Sequence, residues 1–287
     1  MSTDLLHTAK ATLPDGYPFH IGTRLVLHRD AEGKVVGHHY APLSEEDFLH
    51  PQEEDKFMLA DVHAVSVQYL RFALDMACRG RKGYRTFSEH RIDWQIPGIK
   101  PHGPDAVVFR DFDYGWDPYL GTLPVKDVGC EVVAVFEVTS GATRHIDFGA
   151  KFDEFIEVGI PFYIVVDAAA PNGVPVVMGL RLGKRGFREM RHDSKLGVRV
   201  PPLDRWFRWE NDRLIVADAQ GRDIPDPVEL VRELDVEKGR ADVEKGRADA
   251  EKGRADAEKG RADAEKGRAD ALAAELSALK ARRNGSV

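Results

Sequence analysis

The segment from Glu131 to Asp167 constrains the fold more than any other. An apolar run, EVVAVFEV (131–138), leads through a polar loop into a segment of helical spacing (147–158) and then a second apolar run, PFYIVVD (161–167). Runs that are apolar at successive positions read as strands buried on both faces. A helix between two such strands is a crossover, and crossovers join parallel neighbours, because a hairpin can join only antiparallel ones. The chain is therefore expected to be α/β, with at least one parallel pair and a helix packed on it.

The remaining elements fit around that unit. Residues 61–78 place Val62, Val65, Tyr69, Phe72 and Met76 at helical spacing and predict an amphipathic helix. Residues 91–96, 105–110 and 174–182 read as strands, and 206–217 as a hairpin turning at Glu210-Asn211-Asp212. In the helix at 147–158, Asp147 is the expected N-cap and Gly159 lies just past the end. The order predicts one mixed sheet flanked by helices, over residues 1–235.

The tail, 236–287, is of another kind. VEKGRAD occurs twice and AEKGRAD three times in succession, a low-complexity repeat. A period of seven suggests a coiled coil, but the apolar positions are spaced five and two rather than three and four, and most are alanine. The charges favour helix through Glu237/Arg240 and Lys238/Asp242, at about 0.2–0.5 kcal/mol per pair. One glycine per repeat opposes it by about 1 kcal/mol. The balance predicts a solvated, fraying helix or disorder. Leu272, Leu276 and Leu279 offer a short seam that a homodimer could use, or are leucines of a terminal helix with no partner.

Charge narrows the function. The chain carries a formal −7; the repeat sums to zero and residues 271–287 to +2, which leaves −9 on residues 1–235. That excludes the electrostatic footprint of tight, constitutive nucleic-acid binding, but not a small metal-dependent site for phosphate. No apolar window of about 18 residues suggests a membrane span. The N-terminus has an early Asp4 and no apolar core of the length a secretion signal needs. Cys78 and Cys130 are far apart, without metal-ligand spacing, and read as reduced, buried thiols. A cytoplasmic location is the expectation.

The chemistry concentrates at strand ends. Glu137 closes the most apolar strand, where a carboxylate is costly unless something pairs with it. Asp105 opens another short apolar strand. Two carboxylates brought together from adjacent strands repel, and a divalent cation between them turns that repulsion into a binding site. Hard oxygen donors in this number suit Mg2+ or Mn2+. Lys151 falls on the border of the helix's apolar stripe, Phe148, Phe152, Phe155 and Ile156, from which it could reach the strand end.

Other candidates carry less. His38-His39 has no partner at ligand spacing and reads as a loop pair. Asp111, Asp113 and Asp117 lack calcium-loop spacing and read as a solvated loop. His63 and Gln68 lie on the 61–78 helix, where a site role stands beside ordinary packing or surface roles.

The segments GPDAVVF, VVAVFEVTS and DFGAKFDEFIEVGIPFYIVVD resemble the Uma-type restriction endonucleases, of the PD-(D/E)XK nuclease-like superfamily; the resemblance spans about residues 40–235. It implies a restriction-endonuclease-like fold and a metal-dependent endonuclease acting on DNA. It implies Asp105 and Glu137 as acidic metal ligands and the carbonyl of Val138 as a further one. The superfamily lysine would stand at 139, which is Thr139 here, and Lys151 takes its place. The alternative is a nuclease fold that has lost catalysis and serves as a binding or assembly module through its repeat tail.

Overall fold

A computed structural model describes residues 21–284 apart from 58, 59, 113, 114, 142 and 172, with side chains as far as residue 280. The stretch read for a secretion signal and Asp113 of the loop triad lie outside the described residues. The described residues form two units, divided between Asp226 and Pro227.

In chain order the first unit begins with β1 (Gly22–Arg29), β2 (Val35–Pro42), α1 (Glu45–Leu49), β3 (Asp55–Phe57) and α2 (Asp61–Cys78). Next come β4 (Arg85–Ser88), β5 (Arg91–Asp93), β6 (Ala106–Arg110), β7 (Thr122–Pro124) and α3 (Val125–Val128). The crossover follows as β8 (Glu131–Val138), α4 (Arg144–Asp147), α5 (Ala150–Val158) and β9 (Phe162–Asp167). The unit ends with β10 (Val176–Gly183), β11 (Gly186–Glu189), β12 (His192–Asp193), β13 (Gly197–Val200), β14 (Arg205–Glu210) and β15 (Arg213–Ala217).

A six-stranded sheet in the order β11-β10-β9-β8-β6-β4 organises this unit. Its one parallel pair is β8 with β9, the pair joined by the crossover. The other pairings in it are antiparallel. The sheet is mixed, with β9 and β8 as its central strands, β9 buried along its whole length. Smaller sheets run β2-β1-β3, β12-β13-β14-β15 and β5-β7.

Strand periodicity divides the core in two. Val108, Phe136, Ile164 and Val166 meet Leu70 and Leu74 of α2, together with Phe207 and Val216. Val107, Phe109, Val135, Tyr163 and Val165 meet Phe155 of α5, with Ile92, Trp94 and Leu123. Glu137 is two residues after Val135 and so faces α5. Between β6 and β8 the register skips Val133, a bulge that adds twist beside the strand end.

Three expectations are corrected. The α2 face turned to the core is His63, Ser66, Val67, Leu70, Ala73, Leu74 and Ala77, with Tyr69. Val62, Val65 and Met76 are exposed. Both stripes have three/four spacing, and the observed one carries the small residues Ser66, Ala73 and Ala77, which let the helix lie close to the sheet. The 147–158 helix is two helices, and Asp147 ends α4 rather than capping α5. The break falls at Gly149, where a Cβ would stand 2.7 Å from the carbonyl oxygen of His145. The hairpin of β14 and β15 turns at Asn211-Asp212, both in the left-handed region (φ 52° and 57°), the backbone of a type I′ turn.

The second unit is one helix, α6 (Pro227–Asn284), of 58 residues and about 87 Å at 1.5 Å per residue. It begins upstream of the repeat and runs continuously through all five glycines, so of the two expected states it is the solvated helix that is found. Leu272, Leu276 and Leu279 are exposed on it. No helix among the described residues is long and apolar enough to cross a membrane.

Candidate metal centre

The strand ends, α2 and the crossover bring five ionisable side chains together: Asp105, Glu137, His63, Asp147 and Lys151. Asp105 stands immediately before β6, and Ala106 pairs with Phe136, so Asp105 falls level with Glu137 on the neighbouring strand. The Asp105 amide approaches Glu137 Oε2 at 3.4 Å. The Val138 amide donates to Asp105 Oδ2 at 2.6 Å. Thus Asp105 is tied to the end of β8 through the backbone of the residue after Glu137.

Lys151 enters from α5. Its Nζ lies 3.0 Å from Glu137 Oε1 and 3.1 Å from Asp147 Oδ1. Its ammonium also lies 4.8 Å from the ring centroid of Phe48, on α1. Lys151, Glu137 and Asp147 are all closed to solvent. The lysine is therefore not at the rim of the helix, reaching sideways, but enclosed between helix and sheet. Asp147 was missed as a site residue because sequence spacing made it a cap. The Gly149 break instead turns its carboxylate inward, and its carbonyl accepts a hydrogen bond from the Tyr163 hydroxyl at 3.0 Å.

α2 supplies His63, whose Nε2 is 3.2 Å from Asp105 Oδ2. Gln68, the other helix candidate, is exposed. Thr139, the residue after β8, turns its hydroxyl elsewhere: it donates to Asp167 Oδ1 at 2.8 Å and accepts from the Ala169 amide at 3.2 Å. Arg144 holds the same Asp167 through paired bonds from Nε and Nη2.

Three carboxyls thus share one ammonium and one imidazole. Burial raises Glu137 well above the usual carboxyl range, reinforced by Asp105 and Asp147 and only partly offset by Lys151. Burial likewise pushes Asp147 up to about 6, against the pull of Lys151. Burial would raise Asp105 as well, but the His63 hydrogen bond, Lys151 and the Val138 amide outweigh it and hold it low. Burial would lower Lys151, yet the three carboxyls raise it, so its ammonium stays charged. Burial opposes the charged form of His63, and the Asp105 carboxylate overcomes it and raises the imidazole. Ionising all three carboxyls would leave one negative charge in excess even with His63 protonated, and the raised Glu137 is how the buried cluster avoids it.

The donor set fits a hard divalent cation. Glu137 Oε1 is buried, and Lys151 Nζ lies 3.0 Å from it but off good hydrogen-bond geometry. Two carboxyls facing each other from adjacent strand ends, one of them kept from ionising by burial, are a condition that a divalent cation relieves. The centre opens at Asp105, whose side chain is 15% exposed. That carboxylate lines a cavity of about 420 Å³ together with Phe48, Gln52, Glu53, Asp55 and Glu89.

A second cluster lies nearby. The ligand atoms of His50, His102 and Glu154 fall within 4.8 Å of one another, close enough to share an ion. Hydrogen bonding opposes that use. The Trp94 indole N–H, which can only donate, points at His102 Nδ1 at 2.9 Å. The neutral His102 ring then carries its proton on Nε2, which faces Glu154 Oε2 at 2.9 Å. A metal-bound histidine needs the reverse, a lone pair toward the ion and an N–H directed outward. Burial, with the charges of Lys151 and His50, pushes His102 down to about 3, in keeping with a neutral ring. His38 and His39 lie on β2, not in a loop; His39 Nδ1 meets His28 Nε2 across the hairpin at 2.7 Å.

No family model matches the chain, and no curated protein matches it at significance. Among solved structures it is similar to a protein from Anabaena variabilis ATCC 29413 described as "a putative nuclease belonging to DUF820". The two share 14% identity over 52% of this chain and 77% of that one, with a TM-score of 0.40.

Proposed function

We propose that this chain is a metal-dependent endonuclease of restriction-endonuclease-like fold, hydrolysing phosphodiester bonds of DNA with Mg2+ or Mn2+. The observation that carries the reading is the convergence of Asp105, Glu137 and Lys151 at the ends of neighbouring strands, all within direct reach of one another. In this reading residues 1–235 are the catalytic domain and the repeat from 236 is an appendage.

Asp105 and Glu137 would hold the cation, with the Val138 carbonyl as a further ligand. When bound, the cation supplies charge stabilisation at the phosphate and acidifies a coordinated water. The chain's own groups do the rest. Lys151 holds a fixed positive charge beside Glu137, where it stabilises developing negative charge. Asp147 keeps that ammonium in place, and Phe48 shields it from water. His63 holds the Asp105 carboxylate ionised and oriented through its 3.2 Å contact. The cavity beside Asp105 is the way in for a phosphate.

The test is cleavage of plasmid DNA with Mg2+ or Mn2+ by the wild-type protein and by Glu137→Ala. Metal-dependent cleavage in the first and none in the second is expected; equal activity in both removes the reading. One observation favours the rival, a nuclease fold that no longer cleaves and serves for binding or assembly: Thr139 occupies the usual lysine position and spends its hydroxyl on Asp167. On that reading the metal would bind without cleavage.

A further inference from the structure

The domain is acidic, yet one surface of it is strongly basic. The turn after α2 reads Arg79-Gly-Arg-Lys-Gly-Tyr-Arg85, four cations without an acid. With Arg71 these cations line an open groove of about 580 Å³. The one acid along it, Asp75, is neutralised by Arg71 at 2.8 Å. Arg81 lies over the Tyr84 ring, 3.7 Å from its centroid. Arg79 and Lys82 are exposed and make no ion pair among the described residues.

A helix C-terminus favours cations by about 0.3–1 kcal/mol within its last turn. That accounts for Arg79. It does not account for Lys82 in the turn; Arg85, on β4, lies over the Phe87, Phe112 and Trp116 rings.

The groove is connected to the metal centre by one strand. Arg85 opens β4 and lines the groove; Ser88 closes β4 and pairs with Ala106, next to Asp105. The Glu89 amide then donates to the Asp105 carbonyl at 3.2 Å. Arg71 spans both, lining the groove and reaching Ser88 Oγ at 3.5 Å. From Arg85 to Ser88 is about 10 Å at 3.3 Å per residue, about three steps of a DNA strand at 3.4 Å each.

We infer that this groove carries the phosphate backbone of the nucleic-acid strand whose reacting phosphate sits at Asp105 and Glu137, and so rests on the nuclease reading. Guanidinium forks match phosphate oxygens, and the Arg81–Tyr84 stack offers a flat face for a base. The inference reconciles an acidic domain with a polyanionic substrate: attraction is confined to one track, and the rest of the surface repels.

Binding of a dye-labelled DNA duplex by fluorescence anisotropy tests it without cleavage, using the full chain carrying Glu137→Gln, in EDTA. Adding Arg79→Glu and Lys82→Glu is expected to raise Kd at least tenfold and to flatten the dependence of log K on log salt by about two charges. The milder Arg79→Gln/Lys82→Gln pair should shift both in the same direction, with unchanged urea midpoints showing that the fold is intact. Unaltered affinity and salt slope overturn the inference, as does absence of duplex binding by the parent. Polyglutamate competing as well as unlabelled duplex at equal charge also overturns it. If the charge reversals weaken binding while the wild-type protein cleaves nothing with Mg2+ or Mn2+, the nuclease reading fails and the groove remains a nucleic-acid site.

Discussion

Lys151 Nζ lies 3.0 Å from Glu137 Oε1, and both side chains are closed to solvent. A buried pair of this kind is no stabiliser by itself, because desolvation offsets the attraction. What it does is make each partner depend on the other. Asp147 adds a second carboxyl to the same ammonium, so the lysine is the group on which the local charge balance turns.

Lys151→Met is therefore expected to destabilise the protein by about 3–5 kcal/mol at pH 7, the range for removing one partner of a buried pair. The loss should shrink at pH 5, because the orphaned carboxyls take up protons there. Lys151→Met combined with Glu137→Gln and Asp147→Asn should recover much of the stability. Urea denaturation at both pH values measures all of this. A loss that is the same at both pH values would show that packing, not charge, is what Lys151 provides.

Glu137 and Lys151 were legible in the sequence because each is a charge set in an apolar pattern: one closes a buried run and the other borders a helical stripe. The crossover was legible for the same reason, since two apolar runs about a helix admit few arrangements. His63 was not legible as a certain site residue. The helix around it supports two stripes of similar spacing, and only the close approach allowed by Ala73 and Ala77 decides between them. Asp147 was hidden by a contact that depends on the backbone break at Gly149. The sheet of β1, β2 and β3 was not read, because its strands are largely exposed or half-buried and lack a continuous apolar run.

Thr139→Val separates the site from its surroundings. The hydroxyl is buried and bonded to Asp167 and the Ala169 amide. Its loss leaves polar groups unsatisfied and should destabilise by about 1–3 kcal/mol. Since Thr139 is turned toward Asp167, the rise in melting temperature expected with Mn2+ if the proposed site binds it should survive in this variant and vanish in Asp105→Asn. Loss of the Mn2+ effect in Thr139→Val would place the hydroxyl at the metal.

His102 gives the molecule a definite response to acid. Its folded pKa is pushed down to about 3, below the unfolded value of about 6.5. Between those values the unfolded chain binds a proton that the folded protein refuses. The stability due to neutral His102 is thus fully present above pH 6.5 and falls as pH drops toward 3, by about 1.4 kcal/mol per pH unit. His102→Asn keeps an acceptor for Trp94 and removes the titration. Unfolding free energies of the two proteins between pH 7 and 4 should diverge in slope by about one proton. Parallel curves would show that Glu154 keeps the ring protonatable in the folded state.

The repeat helix offers a prediction in which the sequence argument and the structure meet. Each repeat sets charge pairs against one glycine, and the pairs alone roughly cancel the glycine's penalty. The helix nevertheless runs unbroken from Pro227 to Asn284, and a Cβ added at Gly239, Gly246, Gly253, Gly260 or Gly267 would meet nothing within 4 Å. Replacing all five with alanine should therefore act on helix propensity alone, by about 0.8–1 kcal/mol per site. Circular dichroism of the full chain at 222 nm during heating should show the helical signal persisting to higher temperature, while the melting of the first unit is unchanged. If the substitutions instead lower the helical signal, the glycines are held close to another surface, and the helix does not stand alone in solution.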